Sequence, residues 1–179
     1  MPKPLVFISY SHAEPTTKIA QQLFDALAAV ADGLGLDGVF MDASGIDAAD
    51  LFDQVILDGL ARMTHFIALI DDRYWNSAYC RKELASAITR FEQDRSVRLL
   101  FVKAGPIRPD LLTTARDRAS GRIDSADPLV KRLADVQFLG PFNKNRQLER
   151  LAWEDEAQLG DQIAGLIDGL ERTLKRHPS

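Results

Sequence analysis

Two short apolar runs, Leu5–Tyr10 and His65–Ile70, constrain this chain more than any other feature. The first does not alternate apolar with polar residues, so it does not suit a sheet with one wet face; both read as strands covered on two sides, the habit of parallel sheets. Parallel neighbours cannot be joined by a hairpin and need a long crossover, usually a helix. The segments around the runs supply them. A helix is expected from about Glu14 to Val30, with Ile19, Ala20, Leu23, Leu27 and Val30 at three- and four-residue steps. A second is expected from about Leu51 to Arg62, with Val55, Ile56 and Leu60 inward. A third carries Cys80, Leu84, Ala87, Ile88 and Phe91 as far as about Asp94.

Further strands are expected at Val39–Asp42, Val97–Lys103 and Val136–Leu139, and a terminal helix at Glu154–Lys175 with Leu159, Ile163, Leu166, Ile167, Leu170 and Leu174 inward. Ala104 to Asp127 is basic and broken by Pro106, Pro109 and Gly121, with room for a short helix around Leu111 to Ala119. The expected fold is α/β: a flavodoxin-like, doubly wound, five-stranded parallel sheet in the order 2-1-3-4-5, flanked by about five helices. With 179 residues, 46% of them hydrophobic, one domain spanning 1–179 suffices.

Composition narrows the function. A net charge of −4 gives no bulk electrostatic reason to expect nucleic acid or an anionic membrane as a partner. The lone Cys80 excludes an intramolecular disulfide, and His12, His65 and His177 fall in no metal-ligand spacing, so no metal or cofactor is expected. The opening Met-Pro-Lys-Pro-Leu-Val-Phe-Ile-Ser is too short in apolar residues for a signal-peptide core, and no later run approaches membrane-spanning length. The expected location is the cytoplasm.

Gly33-Leu-Gly35-Leu-Asp-Gly38 matches the dinucleotide pattern GxGxxG, yet it closes a helix and precedes a strand. A pyrophosphate cradle must do the reverse, so the glycines read as a helix C-cap and turn. The chemistry-bearing stretch is instead Asp71 to Leu84, between a buried strand and a helix that Ser77 can N-cap. Tyr79 and Glu83 then lie four residues apart on one face, above a strand's carboxyl end, where open α/β sheets bind ligands. Cys80 falls on the apolar stripe and reads as a core thiol, His65 as a structural histidine. Trp75 could cover the cleft or pack under the loop.

Val6-Phe-Ile-Ser-Tyr10, Val39-Phe-Met-Asp42 with the polar loop after it, and Tyr74, Ser77, Tyr79, Cys80, Glu83 and Leu84 together resemble the three boxes of the Toll/interleukin-receptor (TIR) domain, bacterial type. The resemblance runs from about Pro4 to Lys175. It implies cleavage of the nicotinamide glycosidic bond of NAD, with Glu83 as the catalytic glutamate and NAD as substrate rather than cofactor. Substrate contacts implied around the cleft are Ser9, Tyr10, Ser11, His12, Asp42, Asp47, Trp75 and Tyr79. Tyr79 stands where the family has tryptophan, Ser11-His12 where a basic residue often follows, and Ala49 where glycine precedes an acidic residue.

Such a reaction needs one well-placed carboxylate. Nicotinamide leaves a cationic bond as a neutral base, so the charge to be stabilised develops on the ribosyl centre. Glu83 could stabilise that cation and hold ribose hydroxyls, or attack it to form an ester that water or an internal adenine nitrogen resolves. The resemblance further implies an immune or anti-phage effector activated by self-assembly into an oligomer or filament, with a sensor domain or partner protein. A non-catalytic TIR–TIR interaction module is the alternative. A response-regulator receiver would use Asp71 or Asp72, but no acidic pair follows the first strand to hold magnesium. A deoxyribose-transferring enzyme would also place a glutamate in its cleft.

Overall fold

A computed structural model describes residues 3–41, 49–105, 129, 143–144, 147–148 and 155–176. In chain order these form β1 (Leu5–Tyr10), α1 (Thr16–Leu34), β2 (Gly38–Met41), α2 (Ala49–Arg62), β3 (His65–Ile70), α3 (Asp72–Asn76), α4 (Ala78–Gln93) and β4 (Arg98–Lys103). Two-residue pieces β5 (Asn143–Lys144) and β6 (Gln147–Leu148) and the helix α5 (Glu156–Arg176) follow.

The main sheet runs β2-β1-β3-β4 with every pairing parallel. Ile8 lies beside Met41 on one side and Ile67 on the other. β1 and β3 are therefore central, and every residue of β3 is buried, as a run without polar interruption requires. Among the described residues the sheet has four strands, not the five expected. The chain leaves β4 at Gly105, and β5 and β6 pair antiparallel with each other in a separate small hairpin, so neither extends the sheet. The expected strand Val136–Leu139 and the short helix around Leu111–Ala119 lie outside the described residues.

Alternation along the strands divides the core between two faces. Phe7 of β1 and Phe66 and Ala68 of β3 join Ile56, Leu60, Tyr74, Leu84 and Ile88 beneath α2, α3 and α4. Phe7 stacks between Phe40 and Phe66, with ring centroids 5.3 and 5.7 Å away. Val6, Ile8, Ile67 and Leu69 face the other way, onto Ile19, Leu23 and Leu27 of α1 and Leu159, Ile163, Leu166 and Leu170 of α5. Each such side chain, fully buried, contributes about 1.5–3 kcal/mol of transfer free energy.

The GxGxxG segment behaves as a helix terminator. Gly35 adopts φ +70°, and the backbone N–H groups of Gly35 and Leu36 close the last turn on the Asp32 and Ala31 carbonyls. Two expected inward residues point out: Val30 of α1 and Val55 of α2 are exposed, because the buried stripes run through Leu23 and Leu27 and through Ile56 and Leu60. Gly59 is a mid-helix glycine with a packing reason. A Cβ there would sit 3.3 Å from the Phe40 ring, so its absence lets α2 lie close on β2. Ala49 opens α2 as a helical residue, so the right-handed conformation it adopts needs no glycine there.

Candidate functional site

β1 pairs with β2 on one side and β3 on the other, and crossovers leave it in both directions. The carboxyl ends of β1 and β3 thus form the switch point of the sheet, where α/β folds open a crevice. β3 ends at Ile70, and the next residue, Asp71, with an extended backbone, is the N-cap of α3. Its buried carboxylate accepts hydrogen bonds from the Tyr74 N–H at 2.7 Å and the Thr16 hydroxyl at 3.2 Å, with the Arg73 guanidinium 3.5 Å away. An aspartate engaged in this way by a cap, a hydroxyl and a cation is a structural hub rather than a phosphoacceptor. One short turn later Ser77 caps α4, accepting from the Cys80 N–H at 3.3 Å. The two caps together set where α4 begins and how it is rotated.

That rotation buries Cys80, Leu84, Ala87 and Ile88, and with them Glu83, which is only 4% exposed. A buried carboxylate is costly unless it is hydrogen-bonded. The Ser9 hydroxyl, from the inner end of β1, donates to Glu83 Oε2 at 2.5 Å and lies 2.8 Å from the Tyr74 hydroxyl. On its outer side Glu83 lines a groove between α2 and α4, shared with Ile56, Leu57, Leu60, Tyr79, Lys82 and Ser86. The groove thus has an apolar wall from α2 and a polar wall from α4. Such a combination suits a flat, partly apolar ligand with one polar or cationic centre.

The remaining expected contacts are scattered around this point. Tyr79 lines the groove beside Glu83, half-buried. Tyr10 is buried on the α1/α5 face, its ring stacked on exposed His12 with centroids 4.6 Å apart. Ser11 is 4% exposed and its hydroxyl has no hydrogen-bond partner among the described residues. Trp75 packs in the core beneath α4 with the Arg81 guanidinium 4.7 Å over its ring, so the packing alternative is the observed one and it lines no part of the groove. Asp42 and Asp47, with the loop 42–48, lie outside the described residues.

Sequence reasoning passed over Tyr74, Ile56, Leu57, Leu60, Lys82 and Ser86 as site residues. Tyr74 had a signal, its fixed spacing before Ser77, Cys80 and Glu83. The α2 residues had none, since only packing decides which helix faces α4. Cys80 is a core thiol, 1% exposed, with its S–H toward the Tyr10 carbonyl at 3.4 Å. His65 is buried at the far end of β3 with Nδ1 2.8 Å from the Thr64 hydroxyl. Burial, and then the nearby Arg98 charge, lower its pKa from 6.5 to about 4, so it is neutral at pH 7. Among the described residues no cluster of His, Cys, Asp or Glu could hold a metal ion, and no helix is long and apolar enough to cross a membrane.

None of the curated proteins matches the chain. Among solved structures, the TIR domains of the activated Roq1 resistosome directly recognising the pathogen effector XopQ superpose with a TM-score of 0.55 at 15% identity, over 92% of this chain and 99% of that one. At that identity the likeness is one of fold. The TIR domain family matches residues 6–135, spanning the strands, caps and helices that surround Glu83, and the chain belongs to that family.

Proposed function

We propose that this TIR domain, of the bacterial type, cleaves NAD at the nicotinamide–ribose bond, by hydrolysis or cyclisation, with Glu83 as the catalytic group. The observation that carries the reading is a buried carboxylate, held by the Ser9 hydroxyl near the carboxyl end of β1, that lines a groove of mixed polarity between α2 and α4. The nicotinamide–ribose unit fits that chemistry: a flat ring can lie between Tyr79 and the Ile56, Leu57 and Leu60 wall while the ribose meets Glu83. Held in a partly desolvated site, the carboxylate stabilises the developing ribosyl cation far better than it could in water. No acid is required, because nicotinamide departs neutral.

The biological setting we propose is a cytoplasmic immune effector acting in anti-phage defence, activated by homo-oligomeric TIR–TIR contacts under a sensor domain or partner protein. The fold likeness to TIR domains of an activated resistosome supports assembly as the trigger. Exposed Val55 and Leu57, on α2, would suit such contacts and keep a non-catalytic interaction module as the second reading.

Nicotinamide release from NAD, measured at high protein concentration with and without a crowding agent, separates the two. Turnover in the wild type that is lost in both Glu83→Ala and Glu83→Gln, with unchanged circular dichroism, is the expected result. Equal turnover in the variants would remove Glu83 from the chemistry; a silent wild type under assembling conditions would favour the interaction module.

A further inference from the structure

Glu83 is not fixed by its own helix alone. The Ser9 hydroxyl owns a single hydrogen and sits between two oxygens, 2.5 Å from Glu83 Oε2 and 2.8 Å from Tyr74 Oη. An ionised carboxylate only accepts, so the serine hydrogen belongs to Glu83 and the tyrosine hydrogen must point at Ser9. The chain of donors has one direction, from α3 through β1 to α4. Its origin is rigid: Tyr74 is fully buried, its N–H is held by Asp71, and its carbonyl accepts from the Ser77 N–H at 3.2 Å.

Resting on the reading of Glu83 as the catalytic carboxylate, we infer that Tyr74 and Ser9 are positioning residues that keep Glu83 ionised and aimed. Neither lines the groove; Tyr74 is hydrogen-bonded to Ser9, which in turn holds Glu83. Burial disfavours a charged carboxyl, whereas a hydroxyl donated to the charged form favours it, and donors in series strengthen one another. Tyr74 is suited to the part at every working pH. Burial first, then the neighbouring Cys80 and Glu83, push its pKa well above 10, so the phenol keeps its proton. Tyr79 and Lys82 of its own helix share the groove with Glu83, and Cys80 is close to Tyr74. α2 presents Ile56, Leu57 and Leu60, none of which ionises.

The test is the titration of the Glu83 side chain by carbon-13 NMR in the full chain, assigned with Glu83→Gln, beside the pH profile of kcat/KM for nicotinamide release. Tyr74→Phe deletes one hydroxyl and leaves Ser9 its bond to Glu83; its Glu83 midpoint is expected to rise by about half to one pH unit, roughly a three- to tenfold gain in proton affinity. Ser9→Ala should raise it further. The acid limb of the rate profile should move with the midpoint, and kcat should fall more than KM changes. A Tyr74→Phe midpoint equal to the wild-type value, even with lower thermal stability, would overturn the relay and leave Tyr74 a packing residue. Shifted midpoints in a wild type that releases no nicotinamide would instead refute the NAD reading while the relay stands.

Discussion

The two faces of the sheet bury ionisable groups for opposite purposes. On the α1/α5 face the interior is apolar from Val6 to Leu170, and its buried histidine, His65, lies by strand alternation at the amino end of β3, where it is held neutral. On the α2/α4 face the buried group is Glu83, at the carboxyl ends of β1 and β3, with two hydroxyls behind it and a groove in front. Both groups are almost fully covered. Burial alone therefore does not mark a functional site. What separates the two is the end of the sheet on which they lie and whether open space adjoins them: a closed face uses a polar residue to complete packing, an open one to meet a ligand.

Glu83→Gln tests the open face most severely, since it keeps shape and removes charge. Nicotinamide release is expected to fall roughly a thousandfold, about 4 kcal/mol of barrier, with the fold intact. Retained activity would mean that the groove confers nothing on Glu83. On the closed face, Leu23→Ala should cost about 3 kcal/mol in urea unfolding and leave turnover per folded molecule unchanged. The same truncation at half-exposed Leu57 should cost less than about 1 kcal/mol yet raise KM, because Leu57 lines the groove. A reversal of those two results would break the contrast.

Acid sharpens it from the other side. His65 titrates near 6.5 unfolded and about 4 folded, so its contribution is full above pH 6.5 and is lost as the pH falls from 6.5 toward 4. The loss is expected to be on the order of 3 kcal/mol, and to disappear in His65→Gln, when unfolding curves at pH 7 and pH 4.5 are compared. An unchanged pH dependence in the variant would show that His65 is not the closed-face group that titrates. A smaller effect is expected at Ser77→Ala, where loss of the α4 cap should cost about 1 kcal/mol by thermal unfolding.

Much of this fold was legible because local rules and tertiary structure agree. β1 and β3 begin and end where their apolar runs do, Ser77 caps α4, and Gly35 closes α1 with the positive φ that its neighbours would resist. The site was half legible. Tyr79 and Glu83 share a face by helical spacing alone, but the sequence left Trp75 open between cleft and core, and Val55 at the surface and the turn of α3 were not expected. Periodicity gives relative angles within one element and says nothing of the neighbour that covers it.

The same limit divides what each level determined. The sequence by itself determined a parallel α/β chain with a glutamate in the second turn of a capped helix, because run length, capping chemistry and the 3.6-residue period are properties of a single segment. Only the tertiary structure decided that Ser9 rather than Ile8 turns toward that glutamate, that Tyr74 stands behind Ser9, and that α2 supplies the apolar wall. Because β1 is buried on both faces, its Ser9 does not by itself say which helix layer it meets, so the choice waits for the helices that pack on the strand.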